Sequence, residues 1–367
     1  MPATHRRRTA GLTAAALAAL ATAAAVPAGA VPAAGTTAAG GTAHLLSQVG
    51  AAAQESALEY WTPERMAQAQ PASPGDVVQE VTAAPAEAVA AEPTTELTTE
   101  PGGQAARSLA AQAAAPAVPR RQRSASAVVT GGAVAVATPW TGDAAVTARI
   151  GRLYFTQGGL PYECSASSVR AGDVSVLVTA GHCLSEGGRT SEDVIFVPGL
   201  AGTAEPYGRW AATGTFATRQ WLEEDQDSPA ALNHDVGFVV LGRQDGVALA
   251  ERTGALDIAF DAPMDRVTVF GYPAASGRSD GYTLQHCTGW RFPDTGGTTD
   301  QGTMCDMGGG SSGGPWLSGF DPVAGTGTVT SVISFSYRSA PERLYGPQLG
   351  AAEREVYERA AAAAAAA

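Results

Sequence analysis

The chain has 367 residues, a formal net charge of −12 and a hydrophobic share of 45%. That acidity excludes the basic surface on which nucleic-acid and acidic-lipid partners depend, and with no lysine present arginine is the only strongly basic side chain. Four cysteines without a C-x-x-C pair argue for two disulfides in an oxidising compartment rather than for a zinc site.

Residues 1–30 start basic (His5, Arg6, Arg7, Arg8), continue apolar and end in Ala28-Gly29-Ala30. This is the pattern of a signal peptide, so a secreted, extracellular product is expected. No later stretch is long and apolar enough for a helical membrane span. Residues 31–123 are rich in Ala, Pro, Thr and Gln and contain no cysteine, a composition too poor in apolar surface to offset ordering entropy. They read as a low-complexity leader that is removed. One island, 44–70, carries Leu45, Leu46, Val49, Leu58, Tyr60, Trp61 and Met66; it reads either as a docking segment or as an amphipathic helix in a linker. Arg120-Arg121-Gln122-Arg123 offers a basic processing site, which places the main domain over 124–367.

From about residue 128 short β-branched and aromatic runs recur between Gly, Pro, Asp and Ser. Strands are expected near 146–155, 165–169, 174–179, 194–197, 207–218, 236–241, 267–272, 282–290 and 328–337. Many short strands with almost no helical periodicity predict an all-β barrel or sandwich. Residues 348–367, with Glu353, Arg354, Glu355, Val356 and eight closing alanines, favour a helix, although the polyalanine could also be disordered low complexity beyond Ala360.

Three stretches carry chemistry. In 305–316, C-D-M-G-G-G-S-S-G-G-P-W, five glycines and a proline crowd two serines into a tight turn. A serine hydroxyl needs a neighbouring base to act as a nucleophile and free N–H groups to hold the resulting oxyanion; flanking glycines let the backbone aim such groups at one point. Upstream, Thr179-Ala180-Gly181-His182-Cys183 sets a histidine at a strand end, and Cys164 is the expected partner that ties Cys183 down. Between them, Asn233-His234-Asp235 opens the apolar run 236–241. A carboxylate there must meet a donor, and an imidazole Nδ1–H would fix the tautomer a base needs. His234 and His286 read as structural. The order His182, Asp235, Ser312 excludes an α/β-hydrolase, which needs a histidine after the serine, and a subtilisin order, which needs the aspartate first. Ser311 is the minor alternative nucleophile.

The strings T-A-G-H-C, H-D-V-G-F-V-V-L and G-S-S-G-G-P resemble the chymotrypsin-like serine proteases, more closely the secreted bacterial branch with the glutamyl endopeptidases. The likeness covers about 146–357. It implies two six-stranded antiparallel β-barrels, completed here by a short C-terminal helix. It also implies Ser312 as nucleophile, His182 as general acid and base, Asp235 as its orienting partner, and the N–H groups of Gly310 and Ser312 as oxyanion hole. Asp306, Ser334 and Ser336 match substrate-side positions, Ser334 also supporting the triad aspartate. A Cys287–Cys305 clamp beside the nucleophile is expected, with no metal or organic cofactor, a monomeric state and protein or peptide substrates. Tyr60-Trp61-Thr62-Pro63-Glu64-Arg65-Met66 resembles a segment of actinobacterial protease prosegments. Two departures matter. Ser311 stands where trypsin relatives carry the aspartate that captures a new N-terminus, so release of a blocking prosegment is the expected activation. Ile333 stands where glutamyl endopeptidases carry a histidine, which disfavours glutamate preference. Asp306 has the spacing that gives trypsin its taste for basic residues, but bacterial relatives carry the same acid without substrate contact, so basic or unassigned specificity is expected. A secreted esterase with the same triad, or a pseudoprotease binding module, are the rival functions.

Overall fold

The β-branched runs pair as mostly antiparallel strands, each bounded by the Gly and Asp turns seen in the sequence. The computed structural model describes residues 43–72, 136–274 and 279–366, all within the unit Gly41–Ala367. The predicted signal peptide and the Arg120–Arg123 stretch lie outside the described residues.

The chain first forms β1 (Ala43–Gln48), α1 (Ala51–Tyr60), α2 (Pro63–Met66) and β2 (Gln70–Pro71). Next come β3 (Thr138–Pro139), α3 (Ala144–Arg149), β4 (Ile150–Gln157), β5 (Leu160–Ala171) and β6 (Val174–Thr179). A hairpin of β7 (Ser185–Glu186) and β8 (Arg189–Thr190) leads to β9 (Glu192–Pro198) and β10 (Trp210–Thr218). Helices α4 (Arg219–Glu223) and α5 (Pro229–Leu232) precede β11 (Gly237–Leu241) and α6 (Leu249–Thr253). The second half holds β12 (Asp257–Ile258), β13 (Arg266–Gly271), β14 (Gln285–Trp290), β15 (Phe292–Pro293) and β16 (Gln301–Met304). It closes with β17 (Pro315–Asp321), β18 (Thr326–Val332), β19 (Arg343–Gly346) and α7 (Ala351–Ala365).

The first half is a closed six-stranded antiparallel barrel, β10-β11-β6-β5-β4-β9, with β9 returning to β10. In the second half a six-stranded sheet, β12-β18-β17-β13-β14-β3, is accompanied by a three-stranded sheet, β15-β16-β19. The all-β expectation holds, with β12 added as a short parallel partner of β18. Along these strands one alternate set, including Leu153, Leu177, Phe196, Trp210 and Val239, packs together as one buried cluster, while the other, including Val176, Val178, Ile195 and Phe238, is buried with Trp61 and Val356 of the flanking helical segments.

One expectation changes. Residues 146–149 were expected to begin a strand but form the end of α3, because the Asp143 carboxylate accepts from Ala145 N at 2.5 Å and caps a helix that Ala144, Ala145 and Ala148 favour. The helix expected within 348–367 forms over Ala351–Ala365 and carries through the alanines. Its start is held by Glu353, which accepts from Gly350 N at 2.8 Å and pairs with His234 Nδ1 at 2.7 Å. Val356 and Ala360 are buried, so packing as well as propensity stabilises the helix.

The 44–70 island is docked rather than linker-like. β1 pairs with the part of β10, residues 214–218, that lies beyond the two residues pairing with β9. Trp61 is completely buried against Tyr154, and its indole N–H donates to Asp193 O at 2.7 Å. β2 then lies parallel to β5.

Both disulfides form as expected, Cys164–Cys183 and Cys287–Cys305. Opening Cys164–Cys183, which closes a separation of 19 residues, is expected to cost about 3 kcal/mol. Thermal melts of the Cys164→Ala/Cys183→Ala protein against wild type check this, and an unchanged melting temperature would contradict it.

Candidate active site

β6 delivers its end to a turn in which Thr179 Oγ1 donates to Ser165 O at 2.9 Å and Cys183 is bonded to Cys164. His182 is thereby fixed between a strand end and a covalent anchor. On the other side, the Ser228 hydroxyl caps α5 by accepting from Ala231 N, and the helix ends at Asn233, so that Asp235 falls in a turn just before β11. Asp235 is fully buried. Its Oδ2 accepts from His182 Nδ1 at 2.8 Å and from Ser334 Oγ at 2.5 Å, and its Oδ1 accepts from His182 N at 2.7 Å. Three donors on one carboxylate offset the desolvation that burial imposes.

Burial works to hold the His182 imidazole down, but the charge of Asp235 and its hydrogen bond outweigh it and raise the pKa above the ordinary histidine value. A base must be neutral to accept a proton. The rate is therefore expected to fall as pH drops through a value above about 6.5, with an acid limb centred there in kcat/KM. A pH–rate profile on a small ester tests this, and a limb centred below the ordinary histidine value would contradict it.

The Ser312 turn has a defined main-chain geometry. Gly309 O accepts from Ala274 N at 2.8 Å, and Ser311 O accepts from Gly314 N at 2.9 Å. In a trans peptide the N–H points opposite to the C=O. The N–H groups of Gly310 and Ser312 therefore face away from these bonds, and among the described residues neither has a main-chain acceptor. Gly310 sits at φ +85° and Gly313 at φ +79°, conformations that a side chain would strain. A Cβ at Gly313 would also stand 2.1 Å from Thr179 Oγ1. This is why the turn is written in glycine.

Ser312 is 5% exposed and His182 is wholly buried. The hydroxyl of Ser312 donates to Ala72 O at 3.3 Å, while His182 Nε2 is buried with no hydrogen-bond partner. Ala72 N donates to Glu163 O at 3.0 Å, completing the pairing of β2 with β5.

No protein-family model matches the sequence, and no curated protein matches it. Among solved structures, the protease Anisep from Arthrobacter nicotinovorans is 36% identical at a TM-score of 0.56, over 62% of this chain and 99% of that one. The chain belongs to the chymotrypsin-like serine proteases. A second relative of this protease, the thermostable serine protease AL20 from an extremophilic microorganism, is 32% identical at a TM-score of 0.55, over 59% of this chain and 99% of that one. A Glu endopeptidase solved with MPD shares the fold at 18% identity and a TM-score of 0.50, over 63% of this chain and 98% of that one.

The structure of this protease brings His182, Asp235 and Ser334 into direct contact and places Ser334 N on Tyr345 O. Ser336 lies two residues further along and is half-buried. Asp306 is placed differently from the other substrate-side candidates: its Oδ1 accepts from Ala137 N at 2.7 Å, and it lines a cavity of about 40 Å³ with Pro273, Ser279 and Gln285. Neither Ser334 nor Ser336 lines that cavity. His234 and His286 hold structural partners, Glu353 and the Thr138 carbonyl. Cys164 and Cys183 crowd His182 as a metal-like cluster, but both sulfurs are tied into the disulfide.

Sequence reasoning missed the buried groups around the site. Asp300 is 1% exposed, and burial first, then the charges of Asp235, Asp294 and Glu353, push its carboxyl well above the usual range. Arg152 and Glu163 form a buried pair at 2.9 Å, and burial pushes the Glu163 carboxyl up to about 7 against the pull of Arg152. The available signal was a charge inside an apolar strand, as in I-G-R-L-Y-F, where an uncompensated ion would be too costly.

Proposed function

We propose that this protease is a secreted serine endopeptidase, made as a prepro-protein and cleaving protein or peptide substrates through an acyl-enzyme on Ser312. In this reading residues 1–30 are the signal peptide, 31–123 the prosegment and 124–367 the mature enzyme. His182 Nε2 takes the Ser312 proton as Oγ bonds to the scissile carbonyl carbon. The carbonyl π electrons move to oxygen, where the Gly310 and Ser312 N–H groups hold them. Collapse breaks the C–N bond, and His182 returns the proton to the leaving amine. Water then repeats the sequence on the ester. Asp235 keeps Nδ1 protonated and so leaves Nε2 as the basic nitrogen, and Ser334 steadies Asp235. The reading rests most on one observation, the Ser334–Asp235–His182 chain that engages Nδ1 and leaves Nε2 to act.

The enzyme works as a monomer without metal or organic cofactor, and without nucleic-acid or membrane partners. Residues 43–72 act as the blocking part of the prosegment: Ala72 occupies the nucleophile's hydroxyl and the closed site admits no substrate until the segment leaves. The finer preference for basic residues rests on Asp306, six positions before Ser312, sharing its carboxylate between Ala137 N and a substrate cation. Peptides differing only in the residue before the cut test that preference, which cleavage after Glu would contradict.

Organophosphonate labelling of the matured protein, followed by casein and nitrophenyl ester assays, tests the function itself. Stoichiometric labelling at Ser312 with casein cleavage supports the proposal. Labelling with ester turnover alone would mean an esterase, and no labelling after release of the segment would mean a binding module.

A further inference from the structure

A glycine-rich turn samples many conformations, so something outside it must hold the 308–312 backbone with its N–H groups facing the cleft. Ser311 carries no charge to do this; its hydroxyl donates to Gly308 O at 2.6 Å within the turn itself. The support lies underneath. Arg152 from β4 and Glu163 from β5 have side chains 1% and 8% exposed and pair at 2.9 Å. Arg152 Nη1 also donates to Tyr272 O at 3.0 Å, Nη2 donates to Gly281 O, and the guanidinium lies 5.9 Å from the Tyr272 ring centre.

Tyr272 passes this constraint on. Its N–H donates to Ser165 Oγ at 2.9 Å, and that hydroxyl donates to Gly310 O at 3.0 Å. Ser165 N donates to Ser312 O at 2.7 Å, and Ala274, two residues after Tyr272, donates to Gly309 O at 2.8 Å. Three anchors on the turn, at the carbonyls of Gly309, Gly310 and Ser312, thus come from Ser165 and the 272–274 segment. The guanidinium lies directly below the turn as well: a Cβ added to Gly310 would stand 2.9 Å from Arg152 Nη1.

We propose that the buried Arg152–Glu163 pair is a positioning device that holds the 308–312 turn in its oxyanion-binding conformation through Tyr272 and Ser165. This rests on the reading of Gly310 and Ser312 as the oxyanion hole. A buried ion pair stabilises a fold little more than apolar residues of the same volume, whereas a planar fork that satisfies two carbonyls and a carboxylate fixes geometry. The consequence is that the hole is built before the prosegment leaves, so that activation uncovers the site instead of assembling it. Glu163 joins both roles, since its main-chain carbonyl accepts from Ala72 N at 3.0 Å.

The test compares the full wild-type chain with Glu163→Gln, Arg152→Lys and the double variant Arg152→Met/Glu163→Leu, all matured in parallel. Three quantities are read: kcat and KM on a peptide ester, affinity for a peptide aldehyde whose adduct needs the hole, and affinity for the matching peptide alcohol, which has no carbonyl oxygen for the hole to hold. The double variant is expected to melt at or above wild type, because apolar isosteres replace a desolvated pair. It should nevertheless lose roughly 100-fold in kcat and in aldehyde affinity, with KM and alcohol affinity within about threefold. Arg152→Lys keeps the charge without the fork and should recover only part of the loss. If the double variant does not fold, Glu163→Gln is read by the same split. Full kcat in a folded variant, or equal losses in aldehyde and alcohol affinity, overturns the proposal. Wild type that fails to label at Ser312 overturns the oxyanion reading with it, whereas labelled wild type beside an unaffected variant overturns only the role of the pair.

Discussion

Replacing Ser312 by alanine is expected to lower kcat by roughly 10⁵- to 10⁶-fold, about 7 to 8 kcal/mol of transition-state stabilisation, with KM little changed. In the proposed mechanism the oxygen removed is the one that forms the bond, and no neighbour replaces it. The Ser311 hydroxyl is already committed to Gly308 O at 2.6 Å. A residual rate above water should survive, because the Gly310 and Ser312 N–H groups and the substrate-binding edge remain. The measurement is single-turnover kinetics on a peptide ester, with phosphonate labelling in parallel. Ser312→Ala protein that retains a tenth of wild-type kcat would transfer the nucleophile's role to another residue, with Ser311→Ala as the comparison that identifies it.

Asp235→Asn is expected to lower kcat by about 10⁴-fold while leaving the fold intact. The side chain changes by one heavy atom, so packing around the buried site is preserved, but the hydrogen-bonding pattern is not. Asp235 Oδ2 accepts from both His182 Nδ1 and Ser334 Oγ, and Oδ1 accepts from His182 N. An amide can accept on one side only. With its oxygen on His182 N, its NH₂ meets Nδ1 and selects the tautomer with the proton on Nε2, which cannot receive the Ser312 proton. Losing the negative charge also removes the influence that raises the His182 pKa against burial, so the acid limb should move to lower pH. Kinetics across pH, with NMR of the imidazole Nδ1 proton, check both statements. A variant with wild-type kcat and an unmoved acid limb would show that Asp235 does not orient the base.

Sequence and structure agree best where chemistry is written locally. His182 lies between Gly181 and the disulfide-bonded Cys183, Asp235 opens the apolar β11, and Ser312 stands among glycines; each neighbourhood allows few other roles. The strand β6, expected over 174–179, forms there because an apolar β-branched run has little choice but a buried strand. The start of β4 was less legible. Val146 and Thr147 favour a strand, but a cap from Asp143, a local hydrogen bond that pattern counting does not weigh, turns 144–149 into a helix.

The sequence by itself determined the all-β class, the two cysteine pairs, the order of the three candidate site residues and the region of the docked island. Each of these depends on residue type and on neighbours a few positions away. Only the tertiary structure decided which groups meet across long separations. Ala72 reaches Ser312 over 240 residues and Arg152 reaches Tyr272 over 120, whereas the Ser334–Asp235 contact, over 99, is the one the family resemblance anticipates. The physical reason is that burial and hydrogen bonding of a charge are set by what surrounds it in space. The strand pattern covers Arg152 but starts the next strand at 165, short of Glu163, and only the barrel's closure and its packing on the second half place the two under the 308–312 turn.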